Sequence, residues 1–415
     1  MRYNFVSPIG QDAMKVQPII FLLLVSIITS PAGFAESRTN RARDLGIPFN
    51  GLPGPLNAIT DIEGLEVGQE TIIKGDGLLK VGTGPVRTGV TAIHPRGKNS
   101  NDPVFAAWFT LNASGEMTGT TWLEERGLID GPIAITNTHS VGVVRDASVA
   151  FMVEKGWPAI WHAPVVAETY DGGLNDINGF HVTREHALAA MRNAMSGKVE
   201  EGAVGGGTGM VCNGFKGGIG TSSRLFEFDE KQYTVGVLVQ CNYNWNGDDL
   251  RLGGKVVADK LPVGAHCFTD RSIKRHVDWY PYCEAGAKES KSEPSRDGSI
   301  IIVLATNAPL LPHQLRRLAK RPALALGRLG AISGDGSGDI FVAFSTANGG
   351  KISENDASSL EMYPNNQLSI VFEAAINASE EAIVNAMVAA KTVVGASGFR
   401  VNELPEDQLR ELFRK

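Results

Sequence analysis

Two hydrophobic periods compete along this chain, and the short apolar runs are the plainer signal. Segments 58–67, 86–94, 104–111, 132–136, 233–241, 299–305 and 339–344 read as strands. The run Ile300-Ile301-Ile302-Val303-Leu304-Ala305 shows no polar alternation, as expected of a strand buried on both faces. Helical periodicity marks 141–154, 183–195, 312–320, 367–376 and 380–394. In the last of these Ala382, Ile383, Ala386, Met387 and Ala390 form one stripe, with Ser379 as N-cap and Gly395 as terminator. Strands dominate the middle, with helices between them and at the end. The expectation is one α+β domain with helices packed on sheets. Residues 246–298 are charged and aperiodic, and read as an excursion from that domain.

Composition narrows the class. The 415 residues are 43% hydrophobic and 20% charged, which supplies ample core, and the net charge of -6 gives no electrostatic case for nucleic acid or an anionic membrane. Residues 1–35 read as a signal peptide: Lys15, then the apolar stretch from Pro18 to Ile28, then the small residues Gly33 and Ala35 around a cleavage position. A membrane anchor needs about 20 apolar residues and this run is shorter. The mature chain is therefore expected to begin at Glu36, exported to the periplasm or secreted, with no membrane attachment after removal of the signal. Export permits a disulfide between Cys267 and Cys283, 16 residues apart, whereas Cys212 and Cys241 look like small core residues. Neither Cys-x-x-Cys nor His-Glu-x-x-His occurs, so no metal site is expected.

The candidate chemistry lies where the excursion meets the apolar run, at Arg296-Asp297-Gly298-Ser299-Ile300. Locally, Asp-Gly-Ser is an ordinary turn into a strand. A serine opening a buried strand after glycine also suits an N-terminal-nucleophile hydrolase precursor, cut between Gly298 and Ser299. The freed Ser299 would carry a hydroxyl and an α-amine on one residue. Such an amine titrates near pH 8 and can act as base for its own hydroxyl.

Several segments in order extend this: Arg41-Ala-Arg-Asp-Leu-Gly-Ile-Pro-Phe49, Leu56-Asn-Ala-Ile-Thr-Asp61, Val86-Arg-Thr-Gly-Val-Thr-Ala92, Thr136-Asn-Thr-His-Ser-Val-Gly142 and Ala305-Thr-Asn-Ala-Pro309. With them the chain resembles the DmpA/BapA-type aminopeptidases, a family of L-aminopeptidase/D-esterases and β-peptidyl aminopeptidases, from about Arg41 to Ala396. The resemblance implies an αββα sandwich of the DmpA/ornithine acetyltransferase type, related to the Ntn hydrolases. It also implies self-cleavage into an α chain, 36–298, and a β chain, 299–415. Ser299 matches the nucleophile, and Ser337 and Asp339 in Gly334-Asp-Gly-Ser-Gly-Asp339 match the serine and acid that support it. Some relatives carry Glu at the acid, one methylene longer than Asp339. Asn242 matches an oxyanion-hole asparagine, a donor worth about 3 kcal/mol in such sites. Glu168 matches a residue that pairs with the substrate amine, and Tyr170 one that points its hydroxyl at the reacting carbonyl. Neither a metal nor an organic cofactor is implied, and αβ units commonly assemble as homotetramers.

Competing motifs are weaker. The loop 334–339 has alternating oxygen ligands, but Ile340 and Thr346 stand where an EF-hand needs glycine and a carboxylate. Gly205-Gly-Gly-Thr-Gly209 lacks Rossmann spacing, and no Gly-Lys-Ser/Thr follows it. No serine sits in Gly-x-Ser-x-Gly. His94 and His139 near strand ends read as structural groups, and the basic cluster from Arg316 to Arg321 as a solvated helix face.

The expected activity is release of the N-terminal residue from short peptides, amides or esters with a free amine, through an acyl-enzyme on Ser299. β-Amino-acid peptides are included. The alternatives are an α-amino-acid L-aminopeptidase/D-esterase without β-peptide activity, and a non-catalytic exported binding protein on the same fold. The ornithine acetyltransferases share the architecture, but Ser299 stands where they use threonine.

Overall fold

The computed structural model describes residues 40–158, 161–261, 266–277, 280, 282–283, 297–353 and 355–414; the expected signal peptide lies outside them. In chain order the first strands are β1 (Glu66–Lys74), β2 (Val86–His94), β3 (Val104–Ala113), β4 (Leu128–Ile129), β5 (Ile133–Asn137) and β6 (Val165–Thr169). A tight hairpin, β7 (Val211–Cys212) and β8 (Phe215–Lys216), precedes the long pair β9 (Gly218–Phe228) and β10 (Lys231–Asn242). The short strands β11 (Arg251–Leu252), β12 (Lys255–Val256) and β13 (Cys267–Phe268) come next. Then follow β14 (Ser299–Thr306), β15 (Gly338–Ser345), β16 (Val393–Val394) and β17 (Phe399–Val401). The helices are α1 (Thr120–Arg126), α2 (Val141–Glu154), α3 (Arg184–Arg192), α4 (Pro312–Ala319), α5 (Pro322–Arg328), α6 (Leu368–Ala389) and α7 (Glu406–Phe413).

Strand β14 explains the layers. Successive side chains of a strand point to opposite faces. Ile300, Ile302 and Leu304 enter one apolar cluster, and Ile301, Val303 and Ala305 another. The second cluster lies between two sheets, where β14 meets Ile133, Ile135, Val165 and Ala167. One sheet runs β1-β2-β5-β6; the other runs β4-β3-β15-β14-β10-β9. On the far side of the six-stranded sheet, Val237, Val239, Ile302 and Phe341 pack with Leu315 and Leu318 of α4 and Ala382 and Met387 of α6. On the far side of the four-stranded sheet, Val90, Ala134 and Val166 pack with Val144 and Phe151 of α2 and Leu188 and Met191 of α3. The order of layers is therefore helix, sheet, sheet, helix. Two pairs are parallel, β5 with β6 and β14 with β15. Parallel neighbours need a crossover, supplied by α2 in the first case and by α4 and α5 in the second.

Four sequence expectations change. The segments 367–376 and 380–394 form one helix, α6, ending at Ala389. Ser379 is not a cap: its hydroxyl donates to the Ala375 carbonyl inside the helix (2.7 Å), and Asn377 accepts from Arg328 (2.8 Å). The polar residues that read as a break are satisfied locally or by tertiary contact. Segment 58–67 is mainly a 3-10 turn at Ile59–Asp61, with β1 starting only at Glu66. The hydrophobic pattern does not mark strand β9, because its first half, Gly-Ile-Gly-Thr-Ser-Ser, is small and polar. Those residues bury hydroxyls against neighbouring carbonyls, Thr221 on Val237 and Ser222 on Ala378. Finally, Cys212 and Cys241 are core residues, but they are also bonded to each other. The hairpin β7–β8 lies along the end of β10, and this brings their Cα atoms to 5.6 Å, within disulfide range.

The excursion 246–298 is anchored where it is described. Strand β13 pairs with β17, and Cys267 is bonded to Cys283. Phe268 and Val277 join Phe399, Val401, Leu174 and Val211 in a small separate cluster, with Trp245, Tyr280 and Tyr282 packed against it.

Candidate active site

Three neighbouring strands bring together residues scattered over the sequence. Ser299 opens β14 and is paired with Asn242 at the end of β10 on one side and with Gly338 at the start of β15 on the other. The backbone N–H of Gly338 faces two oxygens of the junction, Ser299 Oγ (3.1 Å) and the Gly298 carbonyl (3.3 Å). The Ser337 hydroxyl contacts the same carbonyl and also reaches Asp339 Oδ1 (2.8 Å). Asp339 is buried, and burial pushes its carboxyl above the ordinary range; hydrogen bonds from Ser337, Ser333 and the Ile300 N–H oppose that rise. The shorter Asp side chain therefore does reach Ser337. Asn112 of β3 fixes the turn ahead of Ser337 by donating to the Ser333 (3.1 Å) and Gly334 carbonyls.

Glycine at 298 is a steric requirement. Its φ is +126°, and a Cβ there would come within 2.3 Å of the Asn242 carbonyl and 2.8 Å of the Trp245 indole nitrogen. Gly338 is equally tight: a Cβ would lie 2.4 Å from the Ser114 carbonyl. The turn at 114–115 thus lies directly against the start of β15.

Asn242 is fully buried and held at both ends of its amide. Its Oδ1 accepts from the Val211 N–H (2.8 Å), and its Nδ2 donates to the Tyr170 carbonyl (2.9 Å). An amide nitrogen has two hydrogens, so one donor remains for a further acceptor.

Glu168, at the end of β6, accepts from the Glu116 N–H (2.9 Å) and from the Thr138 hydroxyl. Burial raises its carboxyl, against those two hydrogen bonds, and the Glu116 charge adds to the rise. A Cβ on Gly115 would sit 3.1 Å from Glu168 Oε1 and 3.3 Å from Gly338 Cα, so the carboxylate and the Ser299 surroundings flank one small turn. Tyr170 is 37% exposed, whereas Ser299, Ser337, Asp339, Asn242 and Glu168 are each at most 6% exposed. Tyr170 therefore marks the outer edge of the site. Its ring lies beside Trp245 (6.1 Å between centroids), and its hydroxyl lies over Gly172. The Trp245 indole donates to the Asn242 carbonyl (3.1 Å).

Ser299, Ser337, Asp339, Asn242 and Glu168 are brought together here, whereas Tyr170 meets them through its backbone carbonyl on Asn242, with its hydroxyl over Gly172. His94 does not: it is buried beside Phe151 and bonded to the Met191 carbonyl (3.0 Å), and burial lowers its pKa to about 4. Sequence reasoning missed two features. One is the Gly338 N–H, a backbone donor with no side-chain signal. The other is a buried polar group behind Asn242. It includes Asp171, pushed up to about 7 by burial, and Lys216, pulled down to about 7 by burial. Lysine in the glycine-rich stretch Gly214-Phe-Lys-Gly-Gly218 was the available clue. Among the described residues no group of three or more His, Cys, Asp and Glu could hold a metal ion, and no helix is long and apolar enough to cross a membrane.

A junction serine facing an asparagine, a serine–aspartate pair and a buried glutamate make a peptidase-type arrangement. Residues 57–401 match the model of Peptidase family S58. The chain belongs to peptidase family S58. Two relatives share most of its length. Beta-peptidyl aminopeptidase BapA of Sphingosinicella microcystinivorans is 55% identical over 388 residues, covering 92% of this chain and 94% of the relative. Beta-peptidyl aminopeptidase BapA of Sphingosinicella xenopeptidilytica is 43% identical over 405 residues, covering 94% and 95%. Among solved structures, the L-aminopeptidase D-Ala-esterase/amidase of Ochrobactrum anthropi superposes with a TM-score of 0.78 at 43% identity. It covers 90% of this chain and 98% of its own, and is described as a variant of the Ntn hydrolase fold. The S58 chain is thus a peptidase of the aminopeptidase type with an αββα sandwich, as expected.

Proposed function

We propose that this S58 chain is an exported, self-processing serine aminopeptidase that removes N-terminal residues, β-amino acids included, from short peptides, amides and esters. The observation that carries the reading is the Gly298 carbonyl. It receives the Ser337 hydroxyl and the Gly338 N–H, while the hydroxyl of the next residue, Ser299, shares that N–H. Donors fixed on a carbonyl oxygen stabilise the negative charge that develops when its carbon is attacked. Ser299 Oγ would add to the Gly298 carbon, the C–N bond would break, and the Ser299 nitrogen would take the proton. Water would then cleave the resulting ester, leaving a Gly298 carboxylate and a free Ser299 amine.

In turnover the freed Ser299 hydroxyl attacks the substrate carbonyl. Its own α-amine, or Ser337 backed by Asp339, takes the proton and returns it to the leaving amine. The remaining N–H of Asn242 supports the oxyanion. Glu168 receives the substrate's ammonium group, which restricts attack to the N-terminal residue, and Tyr170 borders the reacting carbonyl. The inclusion of β-peptides rests on the relative at 55% identity that is named for them. Cleavage after Ala35 would deliver the chain to the periplasm or medium, where αβ units associate as a homotetramer without a metal or cofactor.

The deciding experiment is a denatured mass spectrum with N-terminal sequencing of the purified protein. Two chains, one beginning Ser299-Ile300-Ile301-Ile302, are expected. A single chain spanning 298 and 299 in an active preparation would sink self-processing. Parallel assays on β-alanine and L-alanine p-nitroanilides then separate β-peptidyl from α-aminopeptidase activity.

A further inference from the structure

Lys216 has no part in the chemistry above, yet it is fully buried. A buried ammonium is costly unless each of its N–H groups finds an acceptor. Here three donors meet three backbone carbonyls, those of Met210 (2.7 Å), Gly217 (2.7 Å) and Gly207 (3.3 Å). In the β7–β8 hairpin Lys216 is also the register partner of Val211. The Met210 carbonyl and the Val211 N–H belong to one planar peptide unit. Lys216 therefore grips the oxygen of the same plane whose N–H holds Asn242 Oδ1 (2.8 Å). On the other side of Val211, Cys212 is bonded to Cys241, the residue just before Asn242. A donor on one side and the Tyr170 carbonyl on the other allow the Asn242 amide one orientation, with its nitrogen toward Tyr170.

We infer that Lys216 is a positioning residue for the peptidase reaction: by fixing the Met210–Val211 peptide plane, with the Cys212–Cys241 bond as a second tether, it aims the free N–H of Asn242 at the substrate carbonyl. This rests on Asn242 acting as the oxyanion donor. Without the ammonium, the Met210 carbonyl keeps only the Gly217 N–H (2.9 Å), and the plane is free to tilt. Oxyanion donors are sensitive to small displacements, because their stabilisation depends on reaching the position of the developing charge.

The test is a double-mutant cycle on the processed two-chain enzyme, measuring kcat and KM on a p-nitroanilide for wild type, Lys216→Met, Asn242→Ala and the double variant. Lys216→Met is expected to lower kcat by about tenfold or more with KM within about threefold, and to add less than about twofold in the Asn242→Ala background. Unchanged kcat in Lys216→Met, or an equal loss in both backgrounds, overturns the inference. If Asn242→Ala itself keeps the wild-type kcat, both the oxyanion assignment and the inference fall. If Asn242→Ala is slow and Lys216→Met is not, only the inference falls. Where Lys216→Met is not recovered as soluble protein, Cys212→Ala combined with Cys241→Ala frees the same plane from its other side. The same kcat-selective loss, absent in the Asn242→Ala background, is then expected, and a wild-type kcat overturns the positioning role.

Discussion

Asn242, the last residue of β10, is the antiparallel register partner of Ser299, the first residue of β14. Directly opposed residues project from the same face of a sheet with Cβ atoms about 4.5–5.5 Å apart. Sheet pairing itself therefore sets the separation between the proposed oxyanion donor and the proposed nucleophile. The parallel pairing of Ser299 with Gly338 sets Ser337 and Asp339 on the other side.

Processing and turnover should separate by mutation. The Gly298 carbonyl is approached by Ser337 and Gly338, whereas the Asn242 amide is bonded to Tyr170 and Val211. Ser337→Ala should leave the chain largely uncut. Asn242→Ala should still yield two chains but lose about 10²–10³ in kcat, as for removal of one oxyanion donor. Gels of freshly purified protein and steady-state kinetics read the two effects. An uncut Asn242→Ala protein would contradict the division of roles.

Gly298→Ala should block processing while the sandwich still forms. The added Cβ meets the Asn242 carbonyl at 2.3 Å on a backbone with φ of +126°, so the junction must shift. Such conformations cost an L-residue on the order of 1–3 kcal/mol before any clash. The expected result is one chain with an unchanged far-UV circular dichroism spectrum. Normal two-chain protein would show that the junction geometry is not needed.

In the proposed function, pairing with the substrate ammonium requires Glu168 to be ionised. Burial raises that carboxyl, so the acid limb of kcat/KM should lie above the ordinary carboxylate range, activity falling as pH drops through it. Glu168→Gln should lower kcat/KM and remove this limb. Persistence of the limb in the variant would assign it to another group, Asp339 being the first to examine.

His94 makes stability depend on pH in a defined direction. Its pKa is about 4 when folded and near 6.5 when free, so between these values the unfolded chain binds more protons. The contribution of His94 is fully present above pH 6.5 and is lost as pH falls toward 4, by at most about 1.4 kcal/mol per pH unit. Thermal melts of wild type and His94→Gln from pH 7 to 4.5 should converge, wild type losing more on acidification. Parallel curves would refute a neutral buried imidazole.

Much of the architecture was legible because burial dictates residue type. A strand between two layers must be apolar on both faces, which is why the run 300–305 is legible. Where tertiary contacts replace apolar side chains, the pattern fails. Strand β9 buries serine and threonine hydroxyls on carbonyls, and α6 runs through Asn377 and Ser379 because Arg328 and the Ala375 carbonyl satisfy them.

The sequence by itself determined the strand and helix segments of an α+β domain, since these depend on hydrophobic pattern. Its ordered motifs determined the family, whose resemblance implied the αββα layers and the residues expected at the site. Only the tertiary structure decided which backbone groups complete that site. The Gly338 N–H, the Val211 N–H and the Tyr170 carbonyl carry no residue-specific signal. The Cys212–Cys241 bond and the grip of Lys216 on Met210 likewise depend on where the β7–β8 hairpin comes to rest against β10. A donor or acceptor on the main chain is present at nearly every residue, and folding alone selects which of them points at the reaction.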